Sequence, residues 1–400
     1  MGLLKLLFTL LILSIPFGVI TRISFAPNSY VYLHDVLVFL IFIVFLYNAI
    51  LKKAKVNFFL LKPFLIFVFV AFTSLLFVYQ TLTPITFLIS LSYLIRYGLY
   101  FSLIFSLSLF NKETFSTLKK TMVISGLIFI FFGFVQYLFY PNLRNLYYLG
   151  WDEHLARFFS TFFDPNYAGA FLVLYLLFVL QIIVEKVKPF QKSTVYYMIL
   201  AFITLVSIFF TYSRSAFLML LVGVFLFLFF QTKPKIILLS LGILVLLFLA
   251  FANPQVEEFN PLRVASSKAR VTVLKDTLTV IQKNPIFGVG FNAYRYAQVR
   301  YGLRTDFGTS NSNADAGTDN SFLFVLATTG IVGFLTYLYI WKDILGKSLN
   351  LIKKKEKIGV LVFSSIIALF VDSLFVNSLF YPLIIIWVFI LIGFMGYRKQ

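Results

Sequence analysis

Long apolar runs without charge constrain this chain more than any other feature. Ile236 to Ala252 and Leu379 to Phe394 carry no charged residue, and each approaches the roughly 20 residues that cross a bilayer as a helix. Backbone in lipid finds no water, so it must close its hydrogen bonds internally, as helices or as a sealed barrel. Barrel strands alternate apolar and polar positions, whereas these runs are continuous. Composition agrees: 60% of the 400 residues are hydrophobic, 12% are charged and mean hydropathy is +0.94, against about a quarter charged in an ordinary soluble domain. The fold class read from the sequence is an all-α polytopic membrane protein.

Windows of about 19 residues place spans near 3–20, 31–50, 58–79, 86–110, 121–140, 167–185, 195–212, 215–232, 235–252, 319–341, 358–377 and 380–397, which makes about twelve transmembrane helices. The run 3–20 is read as a retained helix, because no small-residue cleavage site follows it. Lys52, Lys53, Lys55, Lys112, Lys119, Lys120, Lys186, Lys188, Lys192, Lys233, Lys235, Lys342, Lys347, Lys353, Lys354, Lys355 and Lys357 then fall on one side, with both termini. The short loops of the other side hold Arg22, Arg144, Arg157 and Arg214. The positive-inside rule therefore puts both termini in the cytoplasm. Merging 195–212 with 215–232 would move Lys233 and Lys235 outside, so these two are kept apart. The net charge of +19 is explained by membrane topology; membrane lipid is an expected partner and nucleic acid is not. The chain has no cysteine and two histidines, which excludes disulfides, thiolate catalysis and a histidine metal cluster. The expected organisation is helices 1 to 9 in 1–252, a large outer loop subdomain in 253–318, and helices 10 to 12 in 319–400. Within the loop, Arg270 to Gln282 has helical periodicity, a turn follows at Asn284, Pro285 and Gly288 to Gly290, and Gly308 to Gly317 is expected to be mobile.

Ionisable groups at bilayer depth are costly and call for a partner or a function. Arg96 lies inside an apolar span, Arg157 precedes Phe163-Asp164-Pro165-Asn166, Arg214 sits in Thr211-Tyr212-Ser213-Arg214-Ser215, and Arg270 opens the helical part of the loop, which also holds Asp276. Guanidiniums that converge would suit phosphate oxygens through their planar fork; internal ion pairing or snorkelling gives the same pattern. Asp319, with Asn320, opens the tenth span and is read as a general base or as a helix cap. Asp372, near Asn377, is read as a proton relay or as the partner of Arg96. His34 and His154 are read as structural, and Arg22 and Arg144 as interface anchors.

Taken together, these residues resemble the O-antigen ligase and polymerase superfamily of bacterial envelope glycosyltransferases. The likeness covers the layout and several motifs: Arg157 with Asp164-Pro165-Asn166, Ser213-Arg214, and Arg270 followed by Asn284-Pro285-Ile286-Phe287-Gly288-Val289-Gly290. The ligases carry His-Asn, nine residues, then Gly-x-x-Gly; here Asp319-Asn320 and Gly330-Ile331-Val332-Gly333 keep that spacing, with Asp319 in place of histidine. The resemblance implies glycan transfer from undecaprenyl diphosphate to a sugar hydroxyl at the periplasmic face of the bacterial inner membrane, with lipid A core or a growing glycan as acceptor. Arg157, Arg214, Arg270 and Arg96 would bind the diphosphate. Asp319, Arg214 and Arg270 would be catalytic, and Asn166, Asn320, Gly290, Gly330 and Gly333 would support them. No metal or cofactor is expected. The alternative is a flippase for lipid-linked oligosaccharides or another polytopic transporter, although no internal repeat suggests paired halves. A third reading is a cell-wall glycan polymerase of similar topology.

Overall fold

The computed structural model describes residues 1–26, 29–185, 192–231, 242, 245, 264–304 and 317–396. The expected ninth span, 235–252, lies outside the described residues apart from Gly242 and Val245, as do residues 253–263 and most of the Gly308 to Gly317 stretch. The described chain is mostly helical: α1 (Gly2–Ser14), α2 (Leu33–Leu46), α3 (Leu61–Phe77), α4 (Pro84–Leu107), α5 (Lys112–Phe139), α6 (Pro165–Glu185), α7 (Lys192–Phe210) and α8 (Arg214–Phe229) come first. After the undescribed stretch follow α9 (Val264–Lys283), α10 (Tyr294–Arg300), α11 (Ser321–Lys353), α12 (Lys357–Asp372) and α13 (Pro382–Met395). The described strands, β1 (Ile23–Ala26) and β2 (Ser29–Val31), form one antiparallel hairpin.

Among the described residues, six helical segments are long and apolar enough to cross a membrane, and α3, α8, α13 and the Thr194–Phe210 part of α7 are shorter apolar helices. Helix ends follow local capping rather than hydropathy. Thr83 accepts from the Thr86 N–H at 3.2 Å and Pro84 occupies the first turn of α4, a position where its missing donor costs nothing. Asn111 accepts from Thr114 N at 3.0 Å and starts α5 well before the expected edge at 121. Likewise α11 runs past the expected edge at 341 to Lys353, because a hydropathy window sees only the apolar part of a helix whose polar end continues, there with an Asp343–Lys347 pair one turn apart.

The core is built around α6 and α13. Leu172 to Leu177 and Leu383 to Phe394 are buried almost continuously, the pattern of helices surrounded by others on all sides. Trp387 packs edge-on against Phe171 and Phe178 at 5.2 and 5.7 Å. Peripheral helices instead expose large apolar side chains such as Phe69, Phe77, Phe131, Phe139, Phe202 and Phe229, a surface that suits lipid and not water.

One break in α11 organises the loop motif. Gly330 adopts φ 64°, ψ −171° inside the helix, a conformation open to glycine. The break frees carbonyls, which the turn after α9 and the neighbouring α3 then satisfy: Val289 N donates to Ala327 O at 3.0 Å, and the Ser74 hydroxyl shares its one proton between Thr328 O at 2.8 Å and Phe287 O at 2.6 Å. In return Ile331 N donates to Pro285 O at 2.9 Å. Gly288, also left-handed, lies against the Thr328 backbone, where an added Cβ would come within 2.4 Å. The glycines of the two motifs thus fix the Asn284–Gly290 turn against the break. Gly330→Ala, whose Cβ would meet Ile286 O at 2.1 Å, is expected to lower the detergent-solubilised unfolding midpoint and cost about 2 kcal/mol or more, through strain and displaced backbone. Thermal unfolding monitored by circular dichroism checks it.

Candidate functional site

The N-termini of α6, α8 and α11 meet at one end of the bundle. Asp164 starts α6, its Oδ1 accepting from Asn166 N at 2.7 Å and, more weakly, from Tyr167 N at 3.4 Å. Ser213 caps α8, accepting from Ala216 N at 3.3 Å, and donates to Asn166 Oδ1 at 2.9 Å. The two motifs Asp164-Pro165-Asn166 and Ser213-Arg214 are therefore tied side chain to side chain, and Gly169 lets α6 and α8 approach, since a Cβ there would lie 2.6 Å from Ala216 Cβ. Helix N-termini present free amides and a positive dipole end, so this arrangement favours an anion.

Asn320, and not Asp319, caps α11: its Oδ1 accepts from Phe322 N at 2.9 Å and Leu323 N at 3.0 Å, while its Nδ2 donates to Leu374 O at 3.0 Å. The cap reading of Asp319 is thereby taken over by its neighbour. Asp319 is half-buried beside the other two N-termini, within electrostatic reach of Arg270, Asp164 and Tyr167. Burial pushes its carboxyl above the ordinary carboxylate range, Asp164 adds to the rise, and Arg270 opposes it. Arg270 projects from α9, half-buried, and also lies within electrostatic range of Arg214, the first residue of α8, and of Asp372.

Asp372, at the end of α12, is fully buried and accepts from the Ser378 hydroxyl. It lies with the Arg270–Asp164 group, so the reading of Asp372 as the partner of Arg96 gives way. Arg96 instead pairs with Asp35 of α2, Nε to Oδ1 at 2.7 Å. Asp35 is the only carboxylate in the first 112 residues, and that solitary position beside a lone intramembrane arginine was the signal for the pair.

The structure turns Arg157 to a specific task. Buried to 6% exposure, it donates through Nε to Thr211 O at 2.9 Å and through Nη2 to Tyr212 O at 3.3 Å. It thereby braces the Thr211–Tyr212 turn, in which Tyr212 has φ 47° and which delivers Ser213 and Arg214. Gln136 of α5 braces Arg157 in turn, its Nε2 donating to Arg157 O at 3.1 Å and its Oε1 accepting from Phe159 N and Ser160 N. A glutamine inside an apolar span was a signal for this brace that motif reading passed over. Arg157→Ala should unfold more easily by about 2–4 kcal/mol, because one buried and one half-buried carbonyl lose a charged donor. Reduced activity at an unchanged unfolding midpoint would instead show a direct role on substrate.

Tyr167 stacks on Tyr381, at the start of α13, with ring centroids 4.0 Å apart and planes 14° from parallel, giving the site an aromatic wall that sequence reading did not anticipate. Of the residues expected from the sequence, Arg214, Arg270, Asp319 and Asn166 are brought together. Asn320, Gly290, Gly330 and Gly333 lie in the scaffold around α11, and Arg96 belongs to a separate cluster.

Residues 199–338 match a family model described as O-antigen ligase. This segment holds Arg214, Arg270, Gly290, Asp319, Asn320, Gly330 and Gly333. A search of curated proteins returned no match. With six described helical segments long and apolar enough to cross a membrane, the chain has the make-up of a multi-pass membrane protein, and over residues 199–338 it is similar to the O-antigen ligase family.

Proposed function

We propose that the protein transfers a glycan from undecaprenyl diphosphate to a sugar hydroxyl at the periplasmic face of the bacterial inner membrane, either ligating it to lipid A core or extending a repeat-unit polymer. The observation that carries this reading is the placement of Arg270 within electrostatic range of both Arg214 and Asp319, beside helix N-termini. Two guanidiniums near each other, in a group with Asp319, Asp164 and Asp372, suit an anionic group bound between them. As the diphosphate leaves, Arg214 and Arg270 stabilise the charge that develops on it. Asp319 takes the proton of the attacking hydroxyl, its raised pKa making it a better base than an ordinary carboxylate. Arg157 acts at one remove, by holding the turn that carries Arg214. The scheme needs no metal, and the expected topology is about twelve spans with cytoplasmic termini.

The test is the glycan profile on lipid A core in cells lacking the protein, complemented by wild type or Asp319→Ala. Lipid-linked polymer left unattached marks a ligase, and single repeats attached to core mark a polymerase. An unchanged profile overturns both. With purified protein and lipid-linked repeats, transmembrane movement without covalent transfer would establish the transporter alternative.

A further inference from the structure

The Arg96 cluster stands apart from the catalytic group and is built unlike a plain ion pair. Asp35 is held on several sides: Oδ1 accepts from Arg96 Nε at 2.7 Å and from the Tyr100 hydroxyl, and Oδ2 accepts from Tyr32 N at 2.9 Å. Around the guanidinium stand Tyr32, Tyr93 and Tyr100, with ring centroids 5.4, 5.7 and 5.5 Å from Cζ. Despite this, Arg96 Nη2 and the Nε2 of buried His34, which stacks on Tyr32, have no hydrogen-bond partner within the protein. Polar atoms left so in an apolar setting are costly, and here two of them adjoin partly exposed tyrosines. Tyr296 of α10, also partly exposed, lies within electrostatic range of Tyr93, and Tyr32 within range of Tyr381. Tyr381 in turn stacks on Tyr167 beside Asp319. By electrostatic proximity and one ring stack, these tyrosines form a series between α10, the Arg96 cluster and Asp319.

On the reading given above for the catalytic group, we propose that Tyr32, Tyr93, Arg96 and Tyr296 form the binding subsite for the acceptor's sugar chain. The chemistry fits an uncharged sugar. Arg96 and Asp35 cancel in charge, so the subsite demands no ion. The guanidinium keeps a free donor for hydroxyls at Nη2; Tyr32, held between His34 and Arg96, fixes the guanidinium, and the partly exposed rings of Tyr93 and Tyr296 receive the C–H faces of pyranose rings. A largely aromatic lining with a few fixed polar groups is the usual make-up of a small-ligand site. The position suits the acceptor because the series ends at Asp319, the group that takes the acceptor's proton.

The test uses the full-length protein in detergent, with Tyr93→Ala and Tyr296→Ala as variants and Lys354→Ala, at the opposite end of the bundle, as control. Initial transfer rates are measured from undecaprenyl-diphosphate-linked repeats to purified rough lipopolysaccharide, varying each substrate in turn. The expected result is an acceptor KM raised about tenfold, or about 1.4 kcal/mol, with the donor KM and kcat changed much less. An unaltered acceptor KM, or a rise confined to the donor KM, overturns the assignment. Binding of delipidated core and repeat-unit oligosaccharides, followed by titration calorimetry, reads the subsite without catalysis. Weaker binding of either sugar to the variants supports it even if no transfer is found, in which case only the transferase reading fails. Equal binding to variants and wild type, or none to wild type, overturns the subsite.

Discussion

Asp319→Asn is expected to slow glycan transfer by about 10²- to 10⁴-fold, the usual contribution of a positioned acid–base group, while making the protein more stable at neutral pH. Both effects have one cause. Burial makes the charged carboxylate costlier in the folded chain than in the unfolded one, where an aspartate titrates near 4. A folded pKa above the unfolded value means that the native state binds more protons between the two, so stability falls as pH rises through that window and stays lower above it. Asparagine removes this cost along with the base. In the wild type, kcat/KM should rise with pH through a value above the ordinary carboxylate range, and that limb should vanish in the variant. Initial rates across pH, with unfolding midpoints measured in the same buffers, test the pair. An unchanged rate removes Asp319 from the chemistry; a lower midpoint at neutral pH contradicts the burial argument.

Arg270→Lys should cost about 10²- to 10³-fold in kcat, comparable to deleting one preorganised donor at a developing anion. The charge survives but the planar two-pronged contact does not. Arg214→Lys should behave alike. The two differ in a second readout: Arg270 opposes the rise in the Asp319 pKa, so Arg270→Ala should also move the pH limb of kcat/KM to higher pH. Lysine at 270 keeps most of that charge and should leave the limb in place. Full activity in either lysine variant would remove the diphosphate clamp.

The all-helical, apolar character of the fold was legible in the sequence, because lipid leaves a backbone few choices: among the described residues the continuous apolar runs are helices, and Pro84, Pro165, Pro382, Thr83, Asn111 and Ser213 mark where several of them begin. It also singled out Arg214, Arg270 and Asp319 as candidates, with ion pairing, snorkelling and helix capping as the competing explanations, and the fold brings these three near one another. Which charges face each other was decided by tertiary structure alone. Arg96 and Asp372 looked like partners, as the available opposite charges at bilayer depth, yet helix packing sets Arg96 beside Asp35, 61 residues away in the chain, and leaves Asp372 with Ser378. Arg157 reads in the sequence as one more phosphate ligand, and only the fold shows that two turn carbonyls also lie within its reach. The cap of α11 falls to Asn320 and not to its acidic neighbour by a single residue of register, a matter of local geometry that composition does not encode. Side-chain pairing across helices depends on their rotation and depth, and hydropathy carries no information about either.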